Sequence, residues 1–371
     1  MKNSLLVVLF VLAGLVSGGQ NSTSKLYVGT FTSEGAQGIY LCDFNSGSGE
    51  ISLVNVFKGI DNPSFLKVSK DKQFLYSVSR TTRAIEKSGG YVVAYKIEEN
   101  GNLHFLNKQI SNGAGPCQVD VSNDGKYVAI ATYGGGTTSL YPVNSNGSLQ
   151  PASTVIQNSG SGPHKPNQNS AHAHSIKFSP FDNTVFSADL GTDRLNIYHL
   201  ENGVLKSYGQ QFVKLEAGAG PRHFEFNSDG KTIYVINEIN STVSVVKKVN
   251  GNWEIVQTIS TLPHNFHGDS YCADVHISKD GRFLYGSNRG HNSITIFKVL
   301  ENSHQLEFLK TVSVEGDWPR NFVLSPNGKF MLVANQKSGN ITVFKIDTET
   351  GIPIFTGNEI QLPAPVCLEF L

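Results

Sequence analysis

Histidine, arginine and glutamate residues in four short segments offer acid–base chemistry together with anion binding. His172 and His174 stand one residue apart in "AHAHS", and Arg222 follows in "GPRHF". Glu238 ends "VINE", and Arg289 lies in "SNRGH". An imidazole and a carboxylate can exchange protons near neutral pH, while guanidiniums bind carboxylates and phosphates. If the fold brings these residues together, they form an anion site that can transfer protons.

The elements that must position these residues are copies of one repeat. Six segments share an alternating strand, a Ser-x-Asp-Gly-like turn and a second strand, as in "PCQVDVSNDGKYVAIATY" and "PRHFEFNSDGKTIYVINE". They begin at residues 63, 116, 173, 221, 272 and 319. Further alternating strands, such as "SITIFKV" and "LEFLKTVSV", follow each unit. Four strands in a repeat of about 50 residues are typical of a β-propeller blade.

The two ends of the chain together supply a seventh repeat. "PAPVCLEFL" at the C-terminus matches the first strand of the unit, and "KLYVGTFT" near the N-terminus matches the second. Pairing these ends closes the ring and leaves no long free sheet edge. We therefore predict an all-β, seven-bladed β-propeller with four antiparallel strands per blade, formed by residues 20–371 as a single domain.

Aligning the repeats isolates two positions at which the blades differ and carry charge. The residues just after the strand start are Ser64, Cys117, His174, Arg222, Ala273, Arg320 and Val366. The residues that end the second strand are Phe31, Arg80, Tyr133, Leu190, Glu238, Arg289 and Gln336. Equivalent positions of a radial repeat face equivalent directions, so these side chains are predicted to meet at one mouth of the central channel.

The charge balance and the N-terminus indicate where the protein works. Its 30 basic and 30 acidic residues argue against a nucleic-acid-binding surface, which needs a basic field. Residues 1–19 resemble a signal peptide: Lys2 precedes an apolar stretch from Leu5 to Val16, and small residues follow. We expect an exported protein, periplasmic or extracellular, with no membrane span after cleavage, that is a monomer or a weak oligomer.

Neither a metal ion nor a cofactor is expected in the predicted mouth. Glu238 and Asp189 are available carboxylates, but the surrounding arginines repel a cation. Asp189 is also explained as the cap of the "GTDR" turn. The four cysteines, at positions 42, 117, 272 and 367, form no C-x-x-C pair, and their spacing indicates no disulfide pairing. The polar stretch 157–170 is predicted to be either a lip over the site or a surface loop.

The motifs of the mature chain resemble those of the lactonase family of seven-bladed propellers, which includes 6-phosphogluconolactonases and muconate-lactonizing enzymes. The resemblance runs over about residues 25–371 and includes "YVGTFT", "YGGGTTSLYPV", "AHAHSIKFSP", "SADLGTDRL" and "DGRFLYGSNRGHNSI". It implies that His174, Arg222, Glu238 and Arg289 act in catalysis. Gln118 departs from the family, since "GPCQ" stands where many members have "GPCH".

The resemblance implies hydrolysis of a sugar-acid lactone such as 6-phosphogluconolactone. We expect Glu238 to be the base and His174 the proton donor or a substrate contact, with Arg222 and Arg289 binding the anion or the oxyanion. Arg320, Arg80 and His172 are predicted to bind substrate. No Gly-x-Ser-x-Gly segment suggests a serine nucleophile. Muconate cyclisation, a metal-dependent lactonase and a non-catalytic propeller that binds an exported glycan or protein are the alternatives.

Overall fold

The computed structural model of the chain describes residues 23–83 and 85–371, and it shows seven β-sheets arranged as a ring. The predicted signal sequence lies outside the described residues. The sheet that closes the ring joins the two ends of the described chain, in the order β29 (Pro365–Phe370), β1 (Thr23–Thr30), β2 (Ile39–Asn45) and β3 (Ile51–Phe57).

The other six sheets follow along the chain, and in each the first strand is innermost. The first sheet contains β4 (Leu66–Val68), β5 (Phe74–Arg80), β6 (Gly90–Ile97) and β7 (Leu103–Ile110), and the second contains β8 (Pro116–Val121), β9 (Tyr127–Thr132), β10 (Thr137–Pro142) and β11 (Thr154–Gln157). The third contains β12 (Ala173–Phe178), β13 (Thr184–Asp189), β14 (Arg194–Glu201) and β15 (Val204–Lys206). In this third sheet an extra strand, β16 (Phe212–Lys214), also pairs with β14.

The last three complete the ring with the same strand order. They are β17 (Pro221–Phe226), β18 (Thr232–Asn237), β19 (Thr242–Val249) and β20 (Asn252–Ser260); β21 (Tyr271–Ile277), β22 (Phe283–Arg289), β23 (Ser293–Val299) and β24 (Leu306–Ser313); and β25 (Pro319–Leu324), β26 (Phe330–Asn335), β27 (Asn340–Ile346) and β28 (Pro353–Gln361). Two short 3-10 turns, Thr32–Glu34 and Leu190–Thr192, are the helical elements of the described residues.

The predicted seven-bladed propeller is therefore confirmed, with the extra strand β16 as the one departure from four strands per blade. Each inner strand contacts the inner strand of the next blade, from β4 round to β29 and back to β4. Because the described part of the chain holds only 3-10 turns besides its strands, it contains no helix that is long and apolar enough to cross a membrane.

The apolar core lies between the blades rather than at the centre of the ring. Seven clusters of buried side chains fill the gaps between neighbouring sheets. Buried tyrosines tie the blades together as well: the Tyr27 hydroxyl donates to Gly101 O at 2.7 Å, and the Tyr285 hydroxyl donates to Gly351 O at 2.9 Å. This packing leaves the channel to polar side chains.

The repeated Ser-x-Asp-Gly turns hold the end of the blades opposite the predicted mouth. In "SNDG", the Ser122 hydroxyl donates to Asp124 Oδ1 at 2.7 Å and accepts the Tyr127 N–H at 3.0 Å. Gly125 follows with a φ of 71°, which glycine adopts without steric cost. The turn thus fixes the register of the two inner strands, and with it the residues at the mouth.

Deleting residues 365–371 tests the ring closure, because it removes β29 from the sheet that contains β1. The channel side of β1 would lose its partner strand. The two apolar clusters that flank this blade would lose the buried side chains of β29. We expect a melting temperature lower by about 10 °C or more, or loss of cooperative unfolding. Deleting Leu371 alone removes one main-chain hydrogen bond, to Lys25 O, and serves as the control. An unchanged melting temperature in the longer deletion would contradict the closure.

Candidate active site

A β-bulge at the start of the inner strand aims one residue into the channel mouth in five of the seven blades. On β12, Ala173 pairs with Asp189 and Ser175 pairs with Ala188, so that His174 is the extra residue. The same irregularity leaves Arg222 unpaired on β17 and Arg320 unpaired on β25. A bulge redirects a side chain that regular alternation would turn elsewhere. The repeat position singled out by the sequence is therefore the bulge position.

The ends of the second strands supply the facing side chains. Glu238 directly follows β18, and its N–H donates to Gly220 O at 2.7 Å. Arg289 and Arg80 are the last residues of β22 and β5. Since each of these strands is antiparallel to its inner neighbour, strand ends and strand starts lie at the same edge of the sheet. Both sets of residues consequently meet at one mouth.

Four residues that the sequence predicts to be catalytic form one contact cluster. Glu238 Oε2 lies 2.9 Å from Arg289 Nη2 and 3.4 Å from Arg222 Nη1. Arg222 Nη1 in turn contacts His174 Nε2. The side chains of His174, Arg222 and Arg289 are buried. A half-buried carboxylate, a buried imidazole and two buried guanidiniums thus form one chain of contacts, although they come from three blades.

Main-chain carbonyls hold the two guanidiniums in place. Arg222 Nε donates to Ala273 O at 2.8 Å, and Arg289 Nη2 donates to Cys272 O at 3.0 Å. Both carbonyls belong to the start of β21. These bonds fix the orientation of the guanidiniums and leave further N–H groups of each one directed at other partners. A guanidinium prepared in this way can bind an anion without reorganising.

Arg80 and Arg320 are anchored on an aromatic ring instead. Their Cζ atoms lie 5.5 and 5.3 Å from the ring centroid of Phe31, which follows β1. Within residues 23–83 and 85–371, neither guanidinium has a carboxylate at salt-bridge distance. The face of an aromatic ring attracts a cation but takes up few of its N–H groups. Both residues therefore keep donors available for a ligand.

His172 contacts Tyr133 rather than the arginine cluster. Its ring stacks on that of Tyr133 with centroids 4.4 Å apart, and its Nδ1 lies 2.7 Å from Tyr133 O. The His172 N–H donates to Asp189 Oδ1 at 2.8 Å. Tyr133 then places its ring edge-on against His174, at 5.7 Å between centroids. His172 reaches the site through Tyr133, and its predicted contact with substrate stays a prediction.

Asp189 and the polar stretch 157–170 have structural partners on the mouth side. Asp189 caps the Leu190–Thr192 turn by accepting the Gly191 N–H at 3.0 Å, as the sequence indicated. Gln168 is buried, and its amide donates to Leu190 O and to Asp193 Oδ1. The stretch is therefore anchored beside the mouth, where it contributes to the rim.

The charges of the cluster set the protonation states. Burial, followed by the positive charge of Arg222, lowers the pKa of His174 well below its usual value, so the imidazole is neutral at neutral pH. Burial alone would raise the pKa of Glu238, but Arg289, Arg222 and Arg320 outweigh it and lower that pKa. Burial and repulsion from Arg289 lower the pKa of Arg222 to about 10. The site therefore holds an ionised carboxylate beside a neutral imidazole.

Trp318 is a mouth residue that the sequence analysis did not select. Its ring lies 3.4 Å from Lys337 Nζ and 5.4 Å from Arg289 Cζ, measured to the ring centroid. Its backbone has a φ of 67°, a region that is unusual for a bulky residue and that glycine occupies at the equivalent positions 115 and 220. A tryptophan where other blades have glycine is the signal that could have identified it.

All four cysteines are buried free thiols, and burial raises the pKa of Cys117 to about 11. In the described part of the chain, no group of three or more His, Cys, Asp and Glu side chains is arranged to hold a metal ion. A cavity of about 1050 Å³ lies at the opposite end of the blades and includes Asp280 and Arg282, which pair with each other at 2.7 Å. The acid–base and anion-binding groups thus converge at the mouth and not in that cavity.

Comparison with known proteins agrees with the fold and the site described above. Residues 25–370 match the family model described as "Lactonase, 7-bladed beta-propeller". The chain belongs to the lactonase family.

Several relatives match more than nine-tenths of this lactonase. A protein of Bacillus subtilis (strain 168) named 6-phosphogluconolactonase is 36% identical over 348 residues, which are 93% of this chain and 97% of that protein. The crystal structure of a putative 6-phosphogluconolactonase from Bacteroides fragilis has a TM-score of 0.88 and 36% identity, covering 94% and 98% of the two chains. A periplasmic gluconolactonase of Pseudomonas aeruginosa has a TM-score of 0.87 and 32% identity, covering 94% and 99%.

Replacing Glu238 by glutamine tests the electrostatics of the cluster. Arg222 and Arg289 would lose their shared counter-ion, and we expect the free energy of unfolding at pH 7 to fall by about 3 kcal/mol. Because the folded pKa of Glu238 is lowered, its carboxylate stabilises the fold above its unfolded value of about 4.5, and this contribution is lost as the pH falls through the folded pKa. Denaturant unfolding should therefore show a difference in unfolding free energy between the wild type and Glu238→Gln that is smaller below pH 4.5 than at pH 7.

The matched control is Glu216→Gln, which changes an exposed carboxylate that forms no ion pair with the arginines of the described residues. This variant should unfold like the wild type at both pH values. A stability gap for Glu238→Gln that is independent of pH would show that the carboxylate does not balance the arginines.

Proposed function

We propose that this lactonase hydrolyses a sugar-acid lactone that carries an anionic group, with 6-phosphogluconolactone as the first candidate. The observation that carries the proposal is the contact cluster of His174, Arg222, Glu238 and Arg289, beside which Arg80 and Arg320 keep donors free. The names of the Bacillus relative and of the Bacteroides structure support this substrate.

Lactone hydrolysis makes three demands that this cluster meets. The carbonyl oxygen becomes an oxyanion as water attacks, and N–H groups of Arg222 and Arg289 would stabilise it. The attacking water must lose a proton, for which the Glu238 carboxylate and the neutral His174 are the available acceptors. The ring oxygen must receive a proton as the C–O bond breaks. Glu238 is already bound by two guanidiniums, which makes its carboxylate a weaker base than a free one.

The phosphate of the substrate would bind at Arg80 and Arg320. Burial, together with repulsion from Arg222 and Arg289, lowers the pKa of Arg320 well below its usual value. Like charges gathered in a buried site are relieved by a bound anion, and a phosphate supplies two negative charges and several acceptors. The aromatic anchor at Phe31 keeps both guanidiniums near each other without neutralising them.

An unphosphorylated gluconolactone is the second candidate. Two observations favour it: the apolar N-terminal stretch from Leu5 to Val16, and the resemblance to the Pseudomonas protein whose name describes a periplasmic gluconolactonase. We propose on the same grounds that the protein is exported. An exported enzyme would meet free sugar lactones outside the cytoplasm, and in that case Arg80 and Arg320 would bind a hydroxyl-rich or carboxylated substrate.

Turnover of a lactone panel tests the activity and its residues together. The panel contains 6-phosphogluconolactone, gluconolactone and a muconolactone, each with and without a chelator. We expect hydrolysis that the chelator does not affect, and a kcat/KM lower by about 100-fold or more in both His174→Ala and Glu238→Gln. His174→Ala removes a proton acceptor, and Glu238→Gln removes the carboxylate that holds Arg222 and Arg289 and that could itself accept a proton. Unchanged activity in both variants would refute the site. Activity lost to chelator would indicate a metal, and no turnover together with tight glycan binding would indicate a scaffold.

Substrate selectivity tests the assignment of the two free guanidiniums. In Arg320→Met and Arg80→Met, the KM for 6-phosphogluconolactone should rise about 10-fold or more, because a charge-assisted contact to phosphate is lost. The KM for gluconolactone should change less than threefold. Arg282→Met, at the opposite end of the blades, is the control. Equal effects on both substrates would place the phosphate elsewhere.

A further inference from the structure

A pair of buried side chains lies in the channel behind His174 and has no role in the site described so far. His223, next to Arg222 on β17, places its Nδ1 2.7 Å from Asp274 Oδ1 on β21. Both side chains are buried. The second oxygen of Asp274 accepts the Phe322 N–H at 3.3 Å and contacts the Asn321 amide from the next blade. Three blades therefore hold this pair in a fixed geometry.

The Asp274 carboxylate decides which nitrogen of His223 carries the proton. Although burial alone would raise it, the pKa of Asp274 is held well below its usual value by His276 and His223. The group is therefore ionised and accepts, so His223 Nδ1 is the donor. Burial lowers the pKa of His223 to about 4, which keeps the ring neutral and leaves a lone pair on Nε2. That Nε2 is buried and has no hydrogen-bond partner among the described residues.

His174 presents the complementary half of a hydrogen bond. Arg222 contacts its Nε2 and, having no acceptor, must be the donor there. The neutral His174 ring then carries its proton on Nδ1. Among the described residues, the polar group near this nitrogen is the Arg222 guanidinium. The His174 and His223 rings lie 5.4 Å apart between centroids, with their planes inclined by 63°. One ring thus has a donor without an acceptor, and its neighbour has an acceptor without a donor.

The channel provides room for a water molecule beside this pair. A cavity of about 90 Å³ lies on the His223 side of the two rings, where Gln118, His223 and Asp274 line it and His174 does not. A water needs polar partners and about one probe sphere of space, and this cavity supplies both. A water in this cavity can exchange protons with His223, while the two rings lie next to each other with centroids 5.4 Å apart.

The charges around the two rings favour moving a proton from His174 to His223. A second proton on His174 would face Arg222, Arg320 and Arg289, all of which oppose it. A second proton on His223 would sit against the ionised Asp274, whose hydrogen bond raises the pKa of that ring. An imidazolium is more stable beside a carboxylate than beside guanidiniums.

We propose that Asp274, His223 and His174 form a proton relay that makes His174 the base of lactone hydrolysis; this inference rests on the proposed function. It assigns to His174 the role that the sequence suggested for Glu238. Glu238 then serves to hold Arg222 and Arg289, and His223 and Asp274 are positioning residues that act through His174.

The relay conserves atoms and protons. When the lactone oxygen takes over an Arg222 N–H, His174 Nε2 becomes free and accepts a proton from water, whose oxygen bonds to the carbonyl carbon. The Nδ1 proton of His174 passes, directly or through the channel water, to His223 Nε2. As the ring C–O bond breaks, the protons return along the same path, and the leaving oxygen receives one from His174 Nε2. The carboxylic acid product later ionises in solution.

Steady-state kinetics of three variants test the relay. His223→Phe keeps the ring volume but removes the lone pair, and Asp274→Asn donates to His223 Nδ1 and so moves the proton to Nε2. We expect both to lower kcat about 100-fold while KM changes less than threefold. His304→Gln is the matched control, because His304 Nδ1 lies 2.8 Å from Asp229 Oδ2 in a histidine–carboxylate pair at the opposite end of the blades, and its kcat should remain within threefold of the wild type. A kcat of His223→Phe within threefold of the wild type overturns the relay.

Nitrogen-15 NMR of the histidine rings gives a readout that does not depend on turnover. In the wild type, His223 Nε2 should show the shift of an unprotonated ring nitrogen, and Asp274→Asn should move the proton to it. His223→Phe should shift the His174 Nδ1 signal, whereas His304→Gln should not. A protonated Nε2 in the wild type overturns the relay even if the variants fail to fold. A His174 signal that is the same in a folded His223→Phe variant as in the wild type overturns it as well.

The failure of the proposed function remains distinguishable from failure of the relay. A wild type that hydrolyses none of the lactones refutes the function, while the NMR signals still decide whether the two rings are coupled. A wild type that hydrolyses lactones and a His223→Phe variant that does so equally well refute the relay alone.

Discussion

The inner strand of each blade has no partner strand on its channel side, and this free edge shapes both the fold and the site. Unpaired main-chain N–H groups are costly when they are buried. Neighbouring blades satisfy them with side chains: Asn321 Oδ1 accepts the Leu368 N–H at 2.7 Å, Asp120 Oδ2 accepts the Phe178 N–H at 2.9 Å, and Glu369 Oε1 accepts the Val68 N–H at 3.1 Å. The channel must therefore be polar along its length.

The need to satisfy these main-chain N–H groups explains the positions of two channel residues. Gln118 accepts the Ile176 N–H of the next blade through Oε1. Asp274 does the same for Phe322 while binding His223. A side chain recruited to satisfy a strand edge can thus also fix the tautomer of an imidazole. The polar channel is the structural reason why groups for proton transfer are available behind the mouth.

The arginines of the mouth show how a fold keeps positive charge available for a ligand. One carboxylate, Glu238, serves Arg222 and Arg289, and carbonyls at the start of β21 hold the same two guanidiniums. Phe31 holds Arg80 and Arg320 without neutralising them. Four guanidiniums around one carboxylate leave a surplus of positive charge in a largely dehydrated place. Such a surplus attracts an anionic substrate and strengthens each contact with it.

The repeat made much of the fold predictable, but attention to its two most variable positions left other residues of the site unselected. Blade number, ring closure and the two mouth positions follow from aligned segments. His223 was missed because it lies at the repeat position shared with Gln118, Asp274 and Asn321, where ordinary alternation seemed sufficient. Trp318 was missed because it precedes the repeat, and its φ of 67° is not a property of sequence. Strand β16 escaped notice because it is only three residues long.

The sequence by itself determined the seven-bladed ring and the set of residues directed at one mouth, because equivalent positions of a radial repeat face equivalent directions. It could not determine which of those residues touch, since His174, Arg222, Glu238 and Arg289 lie on three blades and their distances depend on how the blades pack. Only the tertiary structure showed that Glu238 is held by two arginines and that Arg80 and Arg320 are not paired. Protonation states were likewise decided there, because burial and neighbouring charge, rather than residue type, set the pKa of His174 and of His223.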